Sequence, residues 1–106
     1  MRSDFKSEHL VDEGGNPTGG HSEAKGISID WQNGPLGRGA DRVEPNGAFV
    51  ETVIAIAVDR LQFYNEGKFR CRENSLAITH LEEALHWLNH RTSDREARDV
   101  EGIHAV

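Results

Sequence analysis

The stretch that decides the fold is Cys71–Thr92, CRENSLAITHLEEALHWLNHRT. Ala77, Ile78, Leu81, Ala84, Leu85 and Leu88 recur at spacings of three and four, the repeat of an α-helix with one apolar stripe. The spacing predicts a helix that begins around Cys71–Asn74 and reaches about Arg98. Upstream, Phe49, Val50, Val53, Ile54, Ile56, Val58, Leu61, Phe63 and Tyr64 surround a second helical segment. Only Thr52, Ala55, Asp59, Gln62 and Glu66 form a polar or small strip on it. That segment should start near Asn46-Gly47, with Asn46 as the N-cap, and stop at Gly67. The link Glu66–Arg70 is short, so the two helices should fold back as an antiparallel hairpin. A helix that is apolar nearly all round wants cover on most sides, so a homo-oligomer is expected to supply what one hairpin cannot.

The residues before the hairpin are of another kind. Nine of the 11 glycines and all three prolines lie between Gly14 and Gly47. Residues 1–13 are polar without an apolar period, and 14–26 read as turns, so 1–26 is expected to be flexible or loosely ordered. Ile27-Ser28-Ile29-Asp30-Trp31 alternates and reads as one short strand, closed by Gln32-Asn33-Gly34-Pro35. Leu36–Pro45 is a Gly-rich loop. The expected fold class is therefore mainly α: a two-helix hairpin (47–99) behind a short β element and loops (27–46), with a C-terminal tail (100–106). Residues 27–106 form one domain in this reading.

Composition excludes several functions. The 106-residue chain carries 18 acidic and 12 basic residues, a formal charge of −6. Affinity for long nucleic acid needs many Lys and Arg contacts with phosphates, so no long nucleic acid is expected as a partner. No run of about 18 apolar residues predicts a membrane span. The start, Met1-Arg2-Ser3-Asp4, has no apolar signal core, and Cys71 is the single cysteine. A cytoplasmic protein without disulfides is expected.

Three groups of residues carry possible chemistry. Trp31 offers a flat face for a base, and the glycines beyond it let backbone approach a phosphate beside Arg38 and Arg42. Asn46 and Phe49 flank that loop at the predicted helix start, although no GK[ST] follows and a P-loop is excluded. Read alone, this is also what a plain ordered loop looks like, with Trp31 packed on the hairpin. Arg91, Arg95 and Arg98 lie three and four apart on the second helix, and this reads either as a salt-paired helix end or as an anion site. Glu82, His86 and His90 share one helical side but lack the catalytic Glu of HExxH, so no metal and no cofactor are expected. No nucleophile motif is present, and an enzyme is not expected.

Asp59–Val106 resembles the helical hairpin of phage-encoded cyclic-nucleotide sponges, the anti-CBASS and anti-Thoeris proteins. The resemblance rests on CREN-x-LA-x-T-x-LEEAL-x-WL-x-x-RT (Cys71–Thr92) and R-x-x-R-x-VEG (Arg95–Gly102), and the ISIDWQNGP segment extends it to 27–106. Asp99 and Ile103 depart from the family's ending, and residues 1–45 are longer than the compact members need, which leaves room for a small β-containing unit as in the larger anti-Thoeris type. The resemblance implies a non-catalytic homo-oligomer, typically a hexamer. It would take up cyclic dinucleotides, cyclic trinucleotides or cyclic ADP-ribose isomers in the cytoplasm of a bacterial host. It further implies base stacking on Trp31 and phosphate contacts from Arg91, Arg95 and Arg98; Arg38 and Arg42 enter on chemistry alone. The alternative reading is a protein–protein interaction module of a phage accessory protein whose hairpin docks on a host partner.

Overall fold

A computed structural model describes residues 4–34, 36, 37, 40 and 42–97. Five elements follow in order: β1 (Lys6–Val11), β2 (Pro17–Ala24), β3 (Ile27–Trp31), α1 (Val50–Glu66) and α2 (Arg72–Ala97). The contacts divide the described chain between Phe49 and Val50 into a sheet unit and a helical unit.

The sheet unit corrects the expectation of a mainly α chain with one short β element. It is a three-stranded antiparallel meander in the order β1-β2-β3. The strand read at Ile27–Trp31 is present, but two more lie in the stretch expected to be loosely ordered, and the boundary drawn at 26/27 falls inside the β2–β3 turn. The turns do much of the work. In the first, the Asp12 carboxylate accepts the backbone N–H of Gly14 at 2.9 Å and of Asn16 at 3.0 Å, the Asx geometry that reverses a chain without apolar help. The second is the two-residue turn Lys25-Gly26, set by the pairing of Ala24 with Ile27. At Gly20 the strands approach so closely that a Cβ would overlap the Glu8 carbonyl, so no other residue fits there.

Register gives the sheet two unlike faces. Lys6, Glu8, His21, Glu23, Ser28 and Asp30 are cross-strand neighbours on one face. Ser7, Ser22, Ala24, Ile27, Ile29 and Trp31 share the other. The alternation of β3 is thus a real binary pattern, and the first face is predominantly acidic.

In the helical unit, α1 and α2 pack on each other across the link 67–71. Among the described residues of α2, those partly covered are Asn74, Ala77, Ile78, Leu81, Ala84, Leu85, Leu88 and Thr92, which contain the whole predicted stripe. In α1 the less exposed residues are Glu51, Val53, Ile54, Val58, Leu61 and Asn65, and Val58 is the one buried hydrophobic among the described residues. Ile56 and Phe63 remain 65% and 61% exposed. Asn65 pins the link: its amide oxygen accepts the Cys71 N–H at 3.1 Å and its amide nitrogen donates to Ser75 Oγ at 2.9 Å. Cys71 acts as the N-cap of α2, its Sγ accepting the Asn74 N–H at 3.4 Å. No helix among the described residues is long and apolar enough to cross a membrane.

Candidate functional site

The candidate site is built around the end of β3. Trp31 is half-buried, and its indole N–H donates to Ser22 Oγ at 2.8 Å; Ser22 in turn meets Ser7 Oγ at 2.7 Å. This relay fixes the indole against the apolar face of the sheet while leaving part of the ring accessible.

Beyond Trp31 the chain leaves the sheet and comes back to it. Gln32 N–H donates to the Ala48 carbonyl at 3.0 Å, and Ala48 N–H donates to the Asp30 carbonyl at 2.7 Å, so Ala48 bridges Trp31 in parallel fashion. Side chains complete the closure. Gln32 Oε1 accepts the backbone N–H groups of Asn46 (2.9 Å) and Gly47 (3.2 Å), and Gln32 Nε2 donates to the Gly34 carbonyl (3.2 Å). Asn46 Oδ1 accepts the Asn33 N–H (2.8 Å), and its Nδ2 donates to the Asn33 carbonyl (3.2 Å). Further along, Val43 N–H donates to the Leu36 carbonyl at 2.7 Å. Gly47 is required by proximity: a Cβ there would lie 2.6 Å from the Trp31 carbonyl carbon and oxygen.

This geometry explains why α1 begins at Val50 and not near Asn46-Gly47. Asn46 is no helix cap; its side chain and backbone are committed to Asn33 and Gln32, and Gly47-Ala48 lie along β3. Of the other residues singled out from sequence, Arg42 is exposed just before the Val43–Leu36 contact, and Phe49 is half-buried directly before α1. Arg91 is exposed on α2, with Arg95 one turn further along the same helix. Arg38, Arg98, Asp99, Ile103 and the tail 100–106 lie outside the described residues. Trp31, Arg42, Asn46 and Phe49 thus belong to the sheet unit, and Arg91 and Arg95 to the helical one.

Sequence reasoning missed Gln32, Asn33 and Gly47 as the residues that shape the loop, and Ser22 as the partner of Trp31. Gln32-Asn33 was legible only as a turn. It missed His21 as well. His21 Nδ1 lies 2.7 Å from Asp30 Oδ1 and Nε2 lies 3.4 Å from Glu23 Oε2. The hydrogen bond to Asp30 raises the His21 pKa above 6.5, partial desolvation opposes this, and Glu23 adds to the rise. On α2, the rings of His86 and His90 meet Trp87 edge-on at 5.7 and 5.8 Å. Among the described residues, no group of three or more His, Cys, Asp or Glu is placed to hold a metal ion.

The two units define a small α+β protein, an antiparallel meander and a glycine-rich loop clipped to it, followed in the chain by an αα-hairpin. The model of the Acb2/Tad1 hairpin domain matches residues 23–93, and the chain belongs to that family. It is 49% identical over 78 residues to Thoeris anti-defense 1 of Bacillus phage SBSphiJ7, an alignment that covers 73% of this chain and 51% of that relative. The chain therefore spans about half the length of the curated relative it matches.

Proposed function

We propose that the protein binds and sequesters small cyclic-nucleotide immune signals, cyclic oligonucleotides or cyclic ADP-ribose isomers, without cleaving them, and thereby blocks bacterial anti-phage signalling. The observation that carries this reading is the 49% identity, over 73% of the chain, to a relative named for its action against the Thoeris defence. The chemistry of the sheet unit supports it. An anchored indole and a loop bearing Arg42 offer a stacking face and a cation to a ligand with a base and few phosphates. On the hairpin, Arg91 is an exposed cation on α2, and Arg95 follows four positions later in the same helix.

The working form is a homo-oligomer, a hexamer in the simplest case, acting in the host cytoplasm. Exposed Ile56 and Phe63 on α1 are the apolar surface that a second hairpin would cover. The same exposed apolar surface of α1 would suit a protein partner, but the identity to the Thoeris-named relative favours the nucleotide reading.

The test is to titrate cyclic di-adenylate, cyclic tri-adenylate and cyclic ADP-ribose into the protein by calorimetry, then denature the complex and chromatograph the ligand. Binding tighter than micromolar with intact recovery supports sequestration, and Trp31→Ala or Arg91→Ala should weaken it. Absence of binding across the panel, or recovery of an altered nucleotide, overturns the reading.

A further inference from the structure

We infer that Gln32 and Asn46 are positioning residues of the ligand site: they clip the loop between them onto β3, so that Trp31 and Arg42 are presented from one frame. The inference rests on the cyclic-nucleotide reading above and adds to it the device that fixes its geometry.

The bonding pattern points this way. Loops of this length are held by their termini, and here the termini are joined by side chains whose hydrogen-bonding capacity is spent inward. Gln32 accepts two backbone N–H groups through a single amide oxygen and returns a donor to Gly34. Asn46 makes a two-way amide pairing with the backbone of Asn33. Asn46 thus serves the loop and not the ligand, a different role from the one its sequence position suggests. The Val43–Leu36 contact forms a second rung, next to Arg42. Trp31, one residue before Gln32, is tied to the same frame from the other side through Ala48 and through Ser22. Closing a loop in the free protein removes the ordering cost that a ligand would otherwise have to meet. A binder of small, few-charged molecules depends on that more than a protein with a large interface does.

The clip is exposed at Asn33 and Asn46, so each hydrogen bond competes with water and no single one dominates. The residue whose loss removes the most is Gln32. Gln32→Met keeps the side-chain length and deletes the acceptor for both N–H groups. Gln32→Glu keeps the acceptor and loses the donor to Gly34.

The experiment measures affinity for cyclic ADP-ribose, cyclic di-adenylate and cyclic tri-adenylate in wild type, Gln32→Met, Gln32→Glu, Arg42→Ala and the Gln32→Met/Arg42→Ala double variant. Trypsin cleavage after Arg42 and helix content are followed in parallel. Gln32→Met should lose affinity roughly tenfold, the scale of one or two hydrogen bonds, with helix content unchanged and faster cleavage after Arg42. Its effect should shrink to within about twofold in the Arg42→Ala background, because a residue that acts through another is non-additive with it. Gln32→Glu should be cleaved more slowly than Gln32→Met. A merely structural role would give additive losses, and that result, or wild-type affinity in Gln32→Met, overturns the inference. If wild type binds none of the three nucleotides, the functional reading fails and takes the inference with it. If wild type binds and Gln32→Met binds equally, the inference alone fails.

Discussion

Gly47→Ala is the sharpest perturbation of the sheet unit. The added Cβ would sit 2.6 Å from the carbonyl carbon and oxygen of Trp31 and 2.7 Å from the carbonyl oxygen of Asp30, all backbone atoms that cannot swing aside. To reach an ordinary contact of 3.4 Å, residues 46–48 must retreat from β3 by roughly 0.8 Å. That retreat stretches the 2.7 Å bond from Ala48 N–H to Asp30 and the 3.0 Å bond from Gln32 N–H to Ala48. It also loosens the two N–H contacts on Gln32 Oε1. Net values of about 0.5–1.5 kcal/mol per hydrogen bond, with the two backbone bonds lost outright and water partly replacing the others, give a destabilisation of about 2–3 kcal/mol. Urea unfolding followed by Trp31 fluorescence, in a Trp87→Phe background so that one indole reports, measures it directly. Gly14→Ala is the control, because its Cβ meets only side-chain atoms at 3.4 Å, and it should stay within about 0.5 kcal/mol. An unchanged midpoint and an unchanged Trp31 emission in Gly47→Ala would refute the close approach of residues 46–48 to the sheet.

Other outcomes follow from the same contacts. The folded-state pKa of His21 lies above 6.5, so its contribution to stability is complete below 6.5 and is lost as pH rises through the raised value. Imidazole NMR should place its midpoint above 6.5, Asp30→Asn should bring it down, and a wild-type midpoint at or below 6.5 would contradict the bridge. Asn65→Ala, which removes the tie between the end of α1 and the start of α2, should cost the hairpin about 1–2 kcal/mol in thermal or urea melts. Val58→Ala should cost about 1.5–2.5 kcal/mol, since two buried carbon groups are deleted and a small void is left. Equal sensitivity of Ile56→Ala in dilute protein, where no second chain covers that side chain, would contradict the assigned packing face.

The hairpin was legible because α2 buries one stripe and α1 meets it across a short link, which is how an apolar 3.6-residue period reads in sequence. The start of α1 was not. Asn46 carries the composition of an N-cap, yet tertiary hydrogen bonds to Gln32 and Asn33 outbid the local cap and move the helix start to Val50. The strands β1 and β2 escaped for a related reason. KSEHLV and PTGGHSEA have no apolar alternation, and two glycines and a proline count against strand formation. What holds them is the Asp12 turn, the Ser7–Ser22 contact and pairing to β3, none of which leaves a periodic trace. Of the candidate site, Trp31 could be picked from its type and position. The clip that frames it is long-range pairing between residues 13 to 15 apart, and sequence spacing does not encode it.

The central claim is that this chain captures a cyclic nucleotide and returns it unchanged. Equilibrium binding of cyclic ADP-ribose, cyclic di-adenylate and cyclic tri-adenylate, followed by heat release and chromatography of the ligand, tests it most directly. The account predicts sub-micromolar binding of at least one of them, on the affinity scale of a few well-placed contacts, and recovery of that nucleotide intact. No binding to any of the three, or a cleaved product, would contradict it.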